Sequence, residues 1–339
     1  MNTNEQNLAP MPVAKKAIAI SAIAALSTAT LLPLIAQTTI SGAGATFPAP
    51  IYQRWFADFA NTKGGGQVNY QSVGSGAGVR QFVAGTVDFG ASDEPIKAAE
   101  AAKVDRGVVQ IPMVGGSIAV AYNKPGCDLK LTQKQVVDIF LGTINDWKQL
   151  KCAPGPISVA HRSDGSGTTF AFTNSLSNFS PEWKSKVGEG KSVQWPVGIG
   201  GKGNEGVSGV IQQTPGSIGY LNQSYVRGVI KAAAIQNKAG KFVKPTALSG
   251  AAGLDNIKLD AMNAGEDPNP AGVKSYPIVT LTWILAYKTG NGDKAKDIQK
   301  ALNYALSPAA QKLADDLGYV PLEGGILVKA KAAVKQIGG

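Results

Sequence analysis

Apolar positions along the chain alternate between two spacings. Ile51, Trp55, Phe56 and Phe59 recur at helical intervals, as do Val79, Phe82 and Val83. Residues 67–73 alternate polar and apolar as a half-buried strand does. Ile157-Ser158-Val159-Ala160 reads as a buried strand that runs into a helical stretch, Phe170 to Leu176. Residues 108–122 form a long apolar stretch with Gly115-Gly116 in its middle, which predicts two strands broken at that pair. Thr132 is placed to cap a helix carrying Val136, Val137, Ile139 and Phe140. Further helix and strand signals fall at 207–213 and 217–221. Residues 276–287 are rich in β-branched and aromatic side chains and predict a strand, and 293–306 and 308–317 predict closing helices. Strands alternating with helices predict an α/β fold with parallel sheets. Residues 263–275, polar and proline-bearing, read as a surface loop, and no repeat or low-complexity tract interrupts the pattern.

Composition adjusts this picture in three ways. A length of 339 residues with 44% hydrophobic content allows a substantial core and suggests two domains. The net charge is +10, but Lys and Arg are scattered rather than gathered into a basic, aromatic-interleaved stripe, which argues against nucleic acid. Lys15 and Lys16 precede an uncharged run from Ala17 to Ala36 that is rich in Ala, Ser and Thr and interrupted by Pro33. That order predicts a secretory signal peptide over residues 1–38, cleaved near 36–38, with an uncleaved anchor as the lesser alternative. No Cys stands near this junction to carry a lipid. The only two cysteines, Cys127 and Cys152, suggest one disulfide in an exported chain, against the alternative of two free thiols.

The chemistry concentrates in strand-to-helix turns. The stretch Arg162-Ser163-Asp164-Gly165-Ser166-Gly167-Thr168-Thr169 offers free backbone N–H groups at a helix start, glycines that admit close approach, the hydroxyls of Ser166 and Thr168, and a guanidinium fork. Read blandly, it is a capped turn with Asp164 or Ser166 as N-cap. Gly74-Ser75-Gly76-Ala77-Gly78 is a second such turn, with the wrong spacing for a dinucleotide fingerprint. Thr46, two residues before Pro48, sits where the N-cap of a third helix would lie, while Phe47 reads either as core or as a residue whose N–H faces the helix mouth. Gly198 to Asn204 is also glycine-rich, but Gly203 stands where a Walker A loop needs Ser or Thr. Three helix N-termini meeting at a strand-end crevice would surround an anion, each contributing ~0.3–1 kcal/mol, or up to ~2 when partly buried. A charge-assisted bond from Arg162 would add ~1.5–3 kcal/mol, against the roughly 8 kcal/mol that micromolar affinity needs.

Asp93, in Val87-Asp88-Phe89-Gly90-Ala91-Ser92-Asp93, fits such a site only if the anion carries a proton. An ionised carboxylate accepts but does not donate, so it favours hydrogen phosphate over sulfate; its bland reading is a turn cap. Asp164 is placed to hold Arg162. The lone histidine, His161, adjoins Arg162, yet no Ser–His–Asp spacing and no His/Cys/Asp metal cluster accompanies it. The classes in competition are therefore a phosphate-binding protein, an exported phosphatase and a receptor for another oxyanion such as sulfate or molybdate.

Gly42-Ala43-Gly44-Ala45-Thr46-Phe47-Pro48-Ala49-Pro50, the segment ending at Asp93, the Arg162–Thr168 turn and Trp195 to Asn204 together resemble the periplasmic phosphate-binding proteins of high-affinity phosphate ABC transporters. The resemblance covers nearly all of the chain after the leader and departs at Gly76-Ala77, where the family often has Ser-Gly. It implies a two-lobe periplasmic-binding-protein fold (type II-like), each lobe a mainly parallel sheet flanked by helices. The lobes would be residues 39–117 with 284–339, and residues 118–283. A hinge would cross twice, near 116–120 and 279–286. It implies phosphate ligands at Thr46, Phe47 (backbone), Ser75, Asp93, Arg162, Ser166, Gly167 and Thr168, with Asp164 pairing the arginine. The implied protein is periplasmic and non-enzymatic, with no metal or cofactor. It would act as a monomer, closing on inorganic phosphate and passing it to a membrane permease.

Overall fold

The computed structural model describes residues 39–339; the leader expected over 1–38 lies outside the described residues. The chain opens with β1 (Thr39–Gly44), α1 (Ala49–Ala60), β2 (Gln67–Ser72), α2 (Ser75–Val83), β3 (Phe89–Ser92) and a single turn, α3 (Ala98–Ala101). It then enters the long strand β4 (Val108–Asn123). The middle of the chain contains β5 (Lys130–Leu131), α4 (Gln133–Leu141), β6 (Ser158–Arg162), α5 (Gly167–Phe179), α6 (Pro181–Lys186), β7 (Ile199–Gly201), α7 (Gly203–Gln213) and β8 (Ser217–Asn222). Short strands β9 (Lys231–Ala232), β10 (Ala234–Gln236) and β11 (Phe242–Val243) lead to α8 (Ala247–Leu254). The chain closes with β12 (Val279–Tyr287), α9 (Lys294–Ala305), α10 (Pro308–Asp316) and α11 (Gly324–Val334).

Strands follow the order β2-β1-β3-β12-β4-β8-β6-β7. β1 is parallel to β2 and β3, and β6 is parallel to β7 and β8. Within this order the antiparallel pairs are those made by the connecting strands, β12 with β3 and β4, and β4 with β8; β9 adds antiparallel to β4, and β10 pairs antiparallel with β11 in a separate small sheet with β5. The result is two α/β lobes, each built on a sheet that is parallel except where the connecting strands join it.

β4 belongs to both lobes. Val108 to Ser117 pairs with β12, and Ile118 to Asn123 pairs with β8. The pattern-based expectation of two strands broken at Gly115-Gly116 is thus corrected to one strand that changes partner. The glycines serve packing rather than a turn. A Cβ on Gly116 would come within 2.9 Å of the Phe47 ring and 3.2 Å of Asn222 Nδ2. Beside the changeover, Ile118 N–H donates to the Ile278 carbonyl at 2.9 Å, and every residue of β12 pairs with the first half of β4. The predicted strand at 276–287 accordingly starts only at Val279. Tyr276 is buried ahead of it, with its hydroxyl accepting from Val120 N–H at 3.4 Å.

The amphipathic helices bury the faces their spacing predicts. Ile51, Trp55, Phe56 and Phe59 of α1 are all core residues, and full burial of each such side chain is worth roughly 1.5–3 kcal/mol. Trp55 Nε1 is satisfied by the Ala310 carbonyl at 2.7 Å. Thr132 caps α4 through Gln135 N–H. α8 and α11, rich in small residues, gave too weak a periodic signal to be predicted. Cys127 and Cys152 form a disulfide with Cα atoms 5.5 Å apart, tying β4's exit to the loop before β6.

Candidate anion-binding site

Three of the turns singled out in the sequence end at one place. On the first lobe, Ser75 opens α2 and Asp93 follows β3; the Asp93 N–H donates to Ser75 Oγ at 3.2 Å. On the second, Arg162 ends β6 and Ser166 caps α5, its Oγ accepting from Thr169 N–H at 3.0 Å. Of the two candidate caps, Ser166 therefore fills the role and Asp164 does not. Gly167 and Thr168 are the first residues of α5, so their N–H groups have no acceptor within the helix. A Cβ on Gly167 would lie 2.6 Å from Ser75 Oγ and 2.7 Å from Asp93 N, so only glycine lets the two lobes approach this closely. Gly76 N–H donates across to the Gly165 carbonyl at 2.8 Å.

Arg162 is held at both ends. Its backbone N–H donates to the Tyr220 hydroxyl at 3.1 Å, and Nε and Nη2 donate to the two carboxylate oxygens of Asp164 at 2.7 and 2.5 Å. Burial alone would raise the Asp164 carboxyl, but the Arg162 hydrogen bonds and charge, with Gly203 N–H at 3.0 Å, bring it below the usual carboxylate range. The guanidinium is thereby fixed in a bidentate pair that leaves its third nitrogen, Nη1, buried without a hydrogen-bond acceptor among the described residues. An orphaned charged donor in an interior that excludes water marks a place for a ligand acceptor.

Asp93 is 2% exposed and is not a turn cap. Its Oδ1 accepts from Thr282 Oγ1 at 2.8 Å and its Oδ2 from Thr168 Oγ1 at 3.2 Å. Burial pushes its carboxyl up to about 7, against the pull of the Thr282 bond and the Arg162 charge. The site so joins donors to one buried acceptor.

Thr46 corrects a sequence expectation. α1 starts at Ala49 with Pro48 as its N-cap and no side-chain cap bond, because Pro48 already fixes the first-turn backbone. The Thr46 hydroxyl instead accepts from the Asn204 N–H at 3.0 Å and Asn204 Nδ2 at 2.8 Å. The third helix start at the site is thus that of α7. Phe47 places its ring in the core, edge-on to Tyr319 at 5.9 Å, and its carbonyl accepts from the Tyr319 hydroxyl at 2.7 Å. His161 turns aside, stacked on Trp195 with ring centroids 5.0 Å apart and Nδ1 3.0 Å from the Arg162 carbonyl. Asn204, Thr282 and Tyr220 were missed by sequence reasoning. Asn204 lay inside a quoted glycine-rich run, whereas Thr282 and Tyr220 sit in strands whose composition explains them without any site.

Residues 34–314 match the family model of the PBP superfamily domain. The phosphate-binding protein PstS of Haemophilus influenzae is 42% identical over 322 residues, covering 90% of this chain and 95% of its own. The phosphate-binding protein PstS of Xylella fastidiosa strain Temecula1 is 42% identical over 312 residues, covering 86% and 84%. In fold, the chain is similar to the high affinity periplasmic phosphate-binding protein PfluDING, solved bound with phosphate. That likeness has a TM-score of 0.70, 21% identity, and coverage of 87% of this chain and 93% of that one.

Proposed function

The chain belongs to the PBP superfamily and, within it, to the PstS phosphate-binding proteins, and from that premise we propose that it captures inorganic phosphate between its lobes and hands it to the permease of a phosphate ABC transporter. The observation that carries this reading is the buried, acceptor-less Nη1 of Arg162 in the same closed site as the buried carboxylate of Asp93. A tetrahedral anion with unprotonated oxygens and one proton satisfies both. Thr46, Phe47 through its backbone, Ser75, Arg162, Ser166, Gly167 and Thr168 are the proposed donors, Asp93 the acceptor and Asp164 the anchor of the arginine. The pairing of all of β12 with the first half of β4 favours a lobe boundary at 278/279 rather than 283/284.

The family is one of substrate-binding transport proteins, and the proposed role is binding without turnover. His161, packed on Trp195, gives no support to the phosphatase alternative. The proposed place of action is the periplasm. A disulfide between Cys127 and Cys152 suits an oxidising compartment, and among the described residues no helix is long and apolar enough to cross a membrane.

Calorimetric titration of the phosphate-stripped protein tests the reading: one-to-one binding of phosphate at neutral pH with no sulfate signal is expected. Absence of phosphate binding would remove the proposal, and equal binding of sulfate would remove the proton argument. Delivery is tested in vesicles carrying the cognate permease, where the loaded protein is expected to stimulate phosphate uptake.

A further inference from the structure

Asn204 is the second residue of α7 on the second lobe and is fully buried. Its amide orientation is fixed by chemistry. The neighbouring partner Asn222 N–H can only donate, and it donates to Asn204 Oδ1 at 2.9 Å. The amide nitrogen must therefore face the hydroxyls of Thr46, at 2.8 Å, and Thr168, at 3.3 Å. Thr46 Oγ1 also receives the Asn204 backbone N–H at 3.0 Å. A hydroxyl oxygen has two acceptor lone pairs and one proton. Both lone pairs of Thr46 Oγ1 are occupied by Asn204, and its proton goes to no acceptor among the described residues.

We infer that Asn204 is a positioning residue that fixes the Thr46 hydroxyl as an obligate donor to the bound anion, so that this corner of the site gives a proton and can take none. The inference rests on the phosphate reading above and deepens it. Thr46 follows β1 on the first lobe and Asn204 lies in the first turn of α7 on the second, so the hydroxyl acquires this polarity only when the lobes are together. Asp93 demands a proton from the anion and Thr46 refuses one. Between them they orient the anion by protonation state, its protonated oxygen toward Asp93 and a charged oxygen, the stronger acceptor, toward Thr46.

The experiment is a double-mutant cycle on the full-length protein, read by calorimetric titration with inorganic phosphate at pH 6 and pH 8. The single variants are Thr46→Val and Asn204→Ala, with their combination. If Asn204 acts through Thr46, Asn204→Ala weakens phosphate binding about tenfold in the wild-type background and by no more than two- to threefold when Thr46 is already Val. Asn204→Asp, isosteric and able to fold where the alanine variant does not, supplies a second reading. Its acceptor-only carboxylate draws the Thr46 proton away from the anion, so its loss of affinity is larger at pH 8 than at pH 6. That pH dependence shrinks in the Thr46→Val background, where only repulsion between the carboxylate and the anion remains. Equal losses from Asn204→Ala in both backgrounds would assign Asn204 a merely structural role. A pH dependence of Asn204→Asp that is undiminished without the Thr46 hydroxyl would reassign the whole effect to charge repulsion. Either result overturns the inference while leaving phosphate binding intact, whereas a wild-type protein that binds no phosphate overturns both.

Discussion

The two halves of the site are opposites in charge. The first lobe brings hydroxyls and a carboxylate, Asp93, whose burial makes its charged form costly. The second brings a guanidinium clamped by Asp164 and the starts of α5 and α7. Neither half is complementary to phosphate alone. The first lacks a cation, and the second lacks an acceptor free to take a proton, because Asp164 is committed to Arg162. In the proposed role recognition requires both, with discrimination against sulfate falling to one side and binding strength to the other. This division can be broken from either side.

The largest effect is expected from Arg162→Ala. It removes the only side-chain cation proposed to face the anion and strands Asp164 without its partner, a loss of the kind that costs about 3–5 kcal/mol. Phosphate affinity should fall by on the order of 100-fold or more, and the denaturation midpoint should drop. Adding Asp164→Ala should restore much of the stability and none of the affinity, which separates the two roles in one pair of measurements. Asp93→Asn should act on selectivity instead. An amide both donates and accepts, so phosphate should still bind within about tenfold while sulfate, silent against the wild type, becomes a measurable competitor.

A pH series sharpens the same contrast. The folded Asp93 carboxyl sits near 7, above its ordinary 3.8, so the fold favours the protonated form. Stability from this group is fully present below its unfolded value and is lost as pH rises through about 7 in the anion-free protein. Denaturant midpoints of wild type and Asp93→Asn should therefore diverge between pH 5 and pH 8, with the variant gaining as pH rises. A protonated Asp93 is also a donor, so sulfate exclusion should weaken toward pH 5; exclusion that stays constant would count against Asp93 as the selective group. The smallest effect concerns a link between lobes outside the site. Lys191 Nζ lies 2.9 Å from Glu94 Oε2, and the Lys191 carbonyl accepts from Ser166 N–H at 2.8 Å. Lys191→Met should weaken phosphate binding only several-fold, because Lys97 Nζ, 3.3 Å from Glu94 Oε1, still compensates the buried carboxylate, and the phosphate-to-sulfate ratio should not change.

The second half of the site was far more legible in the sequence than the connections between halves. Arg162, Asp164, Ser166 and Thr168 fall within one turn, so a local pattern of donors, cap and counter-charge could be read directly. Asp93 was singled out for a chemical reason, but its partner Thr282 was not. A β-branched residue in a strand needs no further explanation, and nothing local tells a hydroxyl on a buried strand from one that bonds a carboxylate across the sheet. The Gly115-Gly116 pair misled for a related reason. Glycine marks a turn when the demand is on backbone angles and a close contact when the demand is on space, and only the packed Phe47 ring reveals which applies. Asn204 combined both difficulties, being quoted for its glycine neighbours while its own amide reached the other lobe.

The place of β12 has a consequence in time. In the strand order it lies between β3 and β4, yet it is encoded near the end of the chain, after the whole of the second lobe. β3 and β4 reach their final neighbours only once Val279 to Tyr287 has emerged, so the first sheet stays unfinished through most of synthesis. Such non-local pairing slows folding. For a chain proposed to act in the periplasm, that delay is an asset if it must cross a membrane first: the first sheet cannot take its final shape before the last strand is available.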